Sequence, residues 1–441
     1  MEKFFKFKQH GTTFRTEVLA GFTTFLTMAY ILFVNPGIVA GDITGLSFGA
    51  VFVATALSAG VTTLFMGLYA NFPVALAPGM GLNAFFTYYL VLTLGYSAPE
   101  ALAAVFLSGI VGIVVSVTPL RKMVVNAIPK SLKLAIGAGI GFFIAFIGLK
   151  NAGIIVANEA TFVALGNIKA PLVLLSIVGL LITLILLARK TYAAVFFGVV
   201  ATAIIGVGMG LAGVAGMPTL PTTVVSMNLD FSLVGLFTKG IVPLLTNHSI
   251  ISVVVVIFSL FFVDFFDTAG TFVAVSNAAG LVDKEGNIEN VGKAFIVDSS
   301  ATVIGAIAGT PNVTSYIESG AGIEVGGRTG LTAVVTGILF LLALFFSPLL
   351  SVVTAAVTAP ALIVVGILMA QQMGGIDWED FPTAATAFLA IISMALTYSI
   401  STGIAVGFII YPVLMVAARR QKEISVMTWV LLVASFLYFI K

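Results

Sequence analysis

Phe72-Pro-Val-Ala-Leu-Ala-Pro-Gly-Met-Gly-Leu-Asn-Ala-Phe85 lies inside an apolar run, yet its first half cannot be helical. Pro73 and Pro78 remove backbone donors, and Gly79 and Gly81 permit non-helical backbone. Helix formers resume after Gly81. A second stretch repeats the plan: Ala308-Gly-Thr-Pro-Asn-Val-Thr-Ser-Tyr-Ile-Glu-Ser-Gly-Ala321. Each is predicted to enter a membrane extended and to become helical partway. Non-helical backbone at that depth persists only beside a cavity or buried in protein. Interrupted segments in corresponding positions of two halves mark the substrate site of many secondary transporters.

The rest of the chain supplies the membrane. Of 441 residues, 60% are hydrophobic and 9% charged, and the mean hydropathy is +1.17, which excludes a soluble domain. Cys is absent and His10 and His248 are the only histidines, so no disulfide framework, thiolate site or His-built metal centre is expected. A net charge of +2 does not suit nucleic-acid binding. The start, with mixed charges and aromatics, does not read as a cleaved signal peptide.

About fourteen apolar segments follow: 17–39, 48–70, 75–94, 98–118, 131–153, 171–188, 192–213, 246–279, 292–308, 311–324, 329–347, 351–372, 383–399 and 401–418. With the N-terminus inside and alternating crossings, Arg121, Lys122, Lys130, Lys133, Arg189, Lys190, Lys284, Lys293, Arg328, Arg419, Arg420 and Lys422 share the cytoplasmic side with the basic N-terminus. Only Lys150, Lys169 and Lys239 fall outside, as the positive-inside rule requires. The connection from Ala215 to Thr246 divides the chain into seven segments and seven. An odd number per half forces opposite orientations, so residues 1–214 and 246–420 read as an inverted repeat. The apolar stretch 426–441 reads as an interfacial piece or a short extra span.

Three acids lie inside apolar runs: Asp264 and Asp267 within Ile250–Ala279, and Glu318 in the second interrupted segment. Each costs roughly 2.5–3.5 kcal/mol at mid-bilayer even on the lenient scale, so a functional site is the default reading. Asp264 and Asp267, three apart, are expected on one helix face. Asn83 occupies the place in the first segment that Glu318 takes in the second. Half-helix backbone at Gly79, Gly81, Thr314 and Ser315 is expected to meet a ligand. Carboxylates accept ring N–H and amino protons, and Asn83 supplies a donor and an acceptor, which suits a planar neutral heterocycle. Phe85, Phe86, Phe262, Phe265, Phe266 and Tyr316 are candidate stacking partners. No basic residue is expected at the depth of the acids. Asp298 is read as a helix-terminus or loop-packing residue, Glu324 and Arg328 as an ion pair, and Gly137-Ala-Gly-Ile-Gly141 as a helix-packing run. Asp267-Thr-Ala-Gly-Thr271 superficially matches an aspartic-protease turn. It continues an apolar helix and has no second copy, so no enzyme is expected. A channel is the further alternative, and half-helices that seal suit alternating access better.

Three stretches, Ala77-Pro-Gly-Met-Gly-Leu-Asn-Ala84, Phe262-Val-Asp-Phe-Phe-Asp-Thr-Ala-Gly-Thr271 and Ser315-Tyr-Ile-Glu-Ser-Gly-Ala-Gly-Ile323, resemble the AzgA-like purine permeases of the second nucleobase–cation symporter group. Ile128-Pro-Lys-Ser-Leu-Lys133 and Gly141–Gly148 are also similar to that family, and the resemblance runs along almost the whole chain. It implies an all-α fold of about fourteen spans with two half-helix, short-strand segments, shared with the uracil permeases. A core domain would come from 17–118 and 246–347 and a gate domain from 131–213 and 351–418. It also implies a homodimer through the gate domain and an elevator-like movement of the core. Asn83, Asp264 and Glu318 would contact a purine nucleobase, and Asp267 would serve proton coupling. The uracil branch carries Glu and a nearby His on helix eight. Asp264 without a His there favours hypoxanthine, guanine and adenine over uracil or xanthine. The expected activity is proton-coupled uptake at the cell membrane, with Na⁺ left open as coupling ion and no cofactor or metal.

Overall fold

The computed structural model describes residues 1–118, 129–221, 223–282 and 288–440. Arg121, Lys122 and Lys284 of the charge bias, and Ile128 of the family-like stretch, lie outside these residues. The chain is mostly helical, and eleven helices among the described residues are long and apolar enough to cross a membrane.

In chain order the elements are α1 (Phe14–Val39), α2 (Phe48–Ala70), β1 (Leu76–Pro78), α3 (Met80–Thr93), α4 (Ala98–Val117) and α5 (Lys130–Asn151). A hairpin β2 (Ile155–Asn158) and β3 (Phe162–Leu165) follows, then α6 (Pro171–Ala188) and α7 (Ala194–Leu211). The second half is α8 (Ile250–Ala279), α9 (Val291–Ala308), β4 (Val313–Ser315), α10 (Ser319–Val325), α11 (Gly330–Val352), α12 (Ala355–Gly375), α13 (Phe381–Leu396) and α14 (Ile400–Ala417). Each of the fourteen apolar segments has its counterpart. Hydroxyl caps start several of them: Thr13, Ser47, Ser249 and Ser399 each accept a first-turn N–H. Ser97 and Glu100 close a capping box on α4.

Two features were not expected, and the last apolar stretch takes a definite form. The β2–β3 hairpin pairs antiparallel from Ile155↔Leu165 to Asn158↔Phe162. It turns through Phe162 at φ 63°, a conformation that nothing in the local sequence advertises. A short helix, Thr238–Asn247, occupies the end of the long connection and packs on α4, so the eighth span begins at Ile250 rather than 246. The stretch after the fourteenth span is a helix, α15 (Val426–Ile440), lying against α14 and α8.

Packing falls into two groups. Helices α1, α2, α4, α8, α9, α10 and α11 contact one another (α4 on α9, α2 and α1 on α11, α1 on α10), and α5, α6, α7, α12, α13 and α14 do likewise, with α5 against both α12 and α13. The interrupted segments meet inside the first group. There β1 and β4 pair antiparallel in the register Leu76↔Ser315, Ala77↔Thr314 and Pro78↔Val313. Two further backbone bonds extend the crossing: Gly79 N–H to Asn312 O (2.9 Å) and Tyr316 N–H to Ala75 O (3.0 Å). Side chains satisfy what the strands leave over. The Thr63 hydroxyl accepts from Leu76 N–H at 2.9 Å and donates to Leu76 O at 3.0 Å. Ser319 Oγ accepts from Ala75 N–H. Without water, each such group has to be paired within the protein, and this pairing holds extended backbone at the centre of a helical protein.

Candidate functional site

The strand crossing forms the floor of a 320 Å³ cavity between the two packing groups, at the small end of the roughly 300–1,000 Å³ usual for ligand sites. One wall carries Asp267, Gly270, Thr271 and Phe266 of α8 together with Thr314, Ser315, Tyr316 and Glu318. The opposite wall is Lys133, Leu134, Ile136, Gly137 and Ile140 of α5 with Val365, Met369 and Gln372 of α12. The half-helix residues Gly79, Gly81, Thr314 and Ser315 all line it. The Gly79 N–H is already committed to Asn312 and is not free for a ligand.

Glu318 directly precedes α10, where β4 has ended and the helix has just begun. Its Oε1 accepts a 2.6 Å hydrogen bond from the Tyr30 hydroxyl. Tyr30 sits at a break in α1 between Met28 and Ile31, which turns the ring towards α10. Asp267 is half-buried on the same wall and takes no hydrogen bond from the described residues. Tyr316 donates its hydroxyl to Pro78 O at 2.5 Å, which fixes its ring as part of the wall. Of the six candidate aromatics, Phe266 and Tyr316 line the cavity. Phe85, Phe86, Phe262 and Phe265 are buried in the apolar core.

Asp264 and Asp267 do not share one environment. Three helical residues leave about 60° between side chains, enough to place the pair on two sides of the strand crossing. Asp264 lies behind it, 6% exposed. Its Oδ2 accepts from Thr302 (2.6 Å) and from the Asn312 amide (3.1 Å), while Oδ1 has no partner among the described residues. It borders a separate cavity of only 10 Å³, together with Asp298, Ser108 and Ser299, about the least space that holds one water. Asn83 is fully buried and off the cavity lining. Its amide approaches Pro78 O at 3.4 Å, and its Oδ1 has no partner among the described residues.

Asp298 is a correction. It is the eighth residue of α9, 2% exposed, and not at a helix end. Its Oδ1 accepts from Thr268 (2.8 Å) and Ser315 (2.7 Å), and Thr268 also bonds Thr314 at 2.9 Å. The carboxylate thus ties α8 and α9 to β4. Glu324 and Arg328 also differ from expectation. The Arg328 guanidinium donates to Ile323 O and Gly327 O, closing the end of α10. The acid at that corner is Glu17, fully buried, accepting from the N–H groups of Arg328, Thr329 and Thr332 and from the Thr332 hydroxyl. An acid at a helix start followed by an apolar run reads as a first-turn charge. That it caps a helix some 300 residues away needed the fold. A third correction concerns charge: Lys133, expected outside the depth of the acids, lines the same cavity, its Nζ 5.3 Å from the Phe266 ring centre.

The cavity lining reaches towards the end where α5 begins and α12 finishes, through Lys133, Ala274 and Gln372. At the other end of α5, Lys150 Nζ stands over the rings of Tyr88 (5.8 Å) and Tyr398 (5.2 Å), and Phe143 packs edge-on against Tyr398. This cluster joins α3, α5 and the α13–α14 turn.

The sequence profile of the Permease family matches residues 15–406. The chain belongs to this permease family. It is 48% identical to the guanine/hypoxanthine permease PbuG of Bacillus subtilis, over all of this chain and 99% of that protein. It is 43% identical to the adenine permease AdeP of Escherichia coli, over 96% of this chain and 92% of that protein. Among solved structures, the transmembrane domain of a cyanobacterial bicarbonate transporter, BicA, superposes with a TM-score of 0.65 at 16% identity, covering 89% of this permease and 96% of that chain. The last likeness concerns the fold alone. The permease is therefore a multi-pass membrane protein of the transporter fold expected from its interrupted segments, and relatives with these names are carriers rather than enzymes.

Proposed function

We propose that this permease carries purine nucleobases (hypoxanthine, guanine and adenine) into the cell together with a proton, by alternating access, with its N-terminus cytoplasmic. The observation that carries the reading is the pair of carboxylates, Asp267 and Glu318, on one wall of a cavity large enough for a small heterocycle, beside Phe266 and Tyr316. The names of the relatives support the substrate class.

Every purine base has an imidazole N–H, and a carboxylate is acceptor-only when ionised. Glu318, steadied by Tyr30, accepts a hydrogen bond from that N–H, and Asp267 faces the same space. The aromatic rings flank the base. Asn83 and Asp264 hold the strand crossing from behind and reach the base only if the crossing shifts during transport. A proton on one of the paired acids removes like-charge repulsion across the loaded site. Without the proton, the two charged acids outnumber Lys133, the one basic side chain of the lining, and the half-loaded carrier is held back. Asp267, which takes no hydrogen bond from the described residues, is the coupling residue in this scheme.

The first packing group acts as the core that carries the site and the second as the gate, which is the dimer-forming part. The core shifts past α5 and α12. The basic residues near Lys133, Arg189, Arg328 and Arg419 support a cytoplasmic opening of the cavity.

The test is uptake of radiolabelled hypoxanthine in cells without their own purine permeases. Saturable uptake competed by guanine and adenine, and not by uracil, is expected. It should fall when the proton gradient is collapsed and persist when Na⁺ is replaced. Competition chiefly by uracil, or dependence on Na⁺ alone, would overturn the substrate or the coupling assignment respectively.

A further inference from the structure

The two cavity walls have opposite chemistry. The wall with Asp267 and Glu318 is rich in acceptors, while on the α5–α12 wall the polar side chains are Lys133 and Gln372 among Leu134, Ile136, Ile140, Val365 and Met369. Gln372 reaches the cavity by lying across α5 at Gly137. A Cβ on Gly137 would stand 2.0 Å from Gln372 Oε1 and 2.8 Å from Nε2. The missing side chain at 137 is what lets the amide occupy this place. The amide makes no hydrogen bond with the described residues, so its donor and acceptor are both available to a ligand.

We propose that Gln372 is a specificity-determining residue that reads the six-membered-ring edge of the bound purine, and that Gly137 sets its reach. The inference rests on the purine reading above. Hypoxanthine, guanine and adenine share an imidazole N–H and differ at positions 1, 2 and 6. Acids that accept the shared N–H turn the variable edge towards the opposite wall. There a primary amide matches either pattern by rotating half a turn. With a 6-oxo base, the amide oxygen accepts N1–H and the NH₂ donates to O6. With adenine, the oxygen accepts from the 6-amino group and the NH₂ donates to N1. One glutamine thus admits both 6-oxo and 6-amino purines, where an acid admits only donors.

The experiment measures inhibition of hypoxanthine uptake by guanine and by adenine in whole cells, with surface expression quantified. It compares the unmodified protein with Gln372→Glu, Gln372→Met and Gly137→Ala. Gln372→Glu is acceptor-only and faces N1–H and the 2-amino group of guanine favourably but the N1 lone pair of adenine unfavourably. It should shift the guanine-to-adenine inhibition ratio about 10-fold towards guanine. Gln372→Met should weaken all three bases and flatten their ranking. Gly137→Ala should reproduce the Met variant without altering residue 372, because the side-chain end of Gln372 yields to the new methyl. An unchanged ratio in Gln372→Glu, or a ranking in Gly137→Ala that matches the unmodified protein, overturns the inference alone. Absence of purine uptake by the unmodified protein overturns the underlying function and this inference with it.

Discussion

The two interrupted segments share a backbone plan and differ in what they present to the cavity. Both run from a three-residue strand into a helix, and the strands pair with each other. Three residues beyond the last strand residue stands Glu318 in the second segment and Gly81 in the first. Both line the cavity. Asn83 comes two residues later than Gly81, about 200° further round the helix, and points into the protein. Matching by motif therefore paired Asn83 with Glu318, whereas counting from the strand ends pairs Gly81 with Glu318. The pseudo-symmetric site is built from one acid and one absent side chain, and the absent side chain lets Ile140 of the opposite wall close on the first segment. A Cβ at Gly81 would lie 2.5 Å from Ile140 Cγ2 of the opposite wall.

The sharpest way to break this comparison is at the acid. Glu318→Gln and Asp267→Asn are expected to lower hypoxanthine uptake by at least 10-fold at equal surface expression, since a hydrogen bond to a charged group contributes about 1.5–3 kcal/mol. Tyr30→Phe should have a smaller effect of the same kind, seen as a raised KM. A Glu318→Gln carrier with normal KM would remove the acid from the site.

The next test adds a side chain where Gly81 meets Ile140. Gly81→Ala should raise KM several-fold, and Ile140→Ala in the same chain should restore it. If Gly81→Ala is silent, the first segment does not shape the site as the strand offset requires. Asn83→Ala is expected to act differently, lowering the amount of folded carrier and the maximal rate while leaving KM near normal, because its amide is buried behind the wall. A KM rise larger than that of Glu318→Gln would return Asn83 to the base.

The ends of α5 give a weaker contrast. The chain has no cysteine, so a single cysteine at Thr271, on the cavity wall, reports access directly. It should react with an impermeant maleimide from the cytoplasmic face. Tyr398→Ala, which removes one ring from beneath Lys150, should add labelling from outside, an effect of about 0.5–2 kcal/mol on the balance of states. The smallest expected effect lies at the corner of α13, where the Thr383 hydroxyl and then Arg420 hold the Asp380 carboxyl below its ordinary range. Its contribution to stability is present above about pH 4 and is lost as pH falls through the depressed value. Melting in detergent across that range should be slightly flatter in Asp380→Asn.

Much of this was legible in the chain. Proline and glycine at 73–81 and 309–311 dictate extended backbone wherever they fall, because missing donors and left-handed freedom are properties of the residue. Apolar run length likewise belongs to the sequence, and it yielded the apolar segments and the acids worth attention. What the chain could not disclose was where each acid looks. Asp264, Asp267 and Asp298 differ only by which neighbours stand opposite, and those neighbours (Thr302, Thr268, Ser315, Asn312) come from other elements. Glu17 bonds a helix start more than 300 residues away. Lys133 and Gln372 reach the cavity only because α5 and α12 pack across it. Local composition determined the breaks and the spans. Only tertiary packing decided which polar atoms face the cavity and which brace it from behind, since a rotation of 60° on a helix, invisible in a list of residues, separates the two roles.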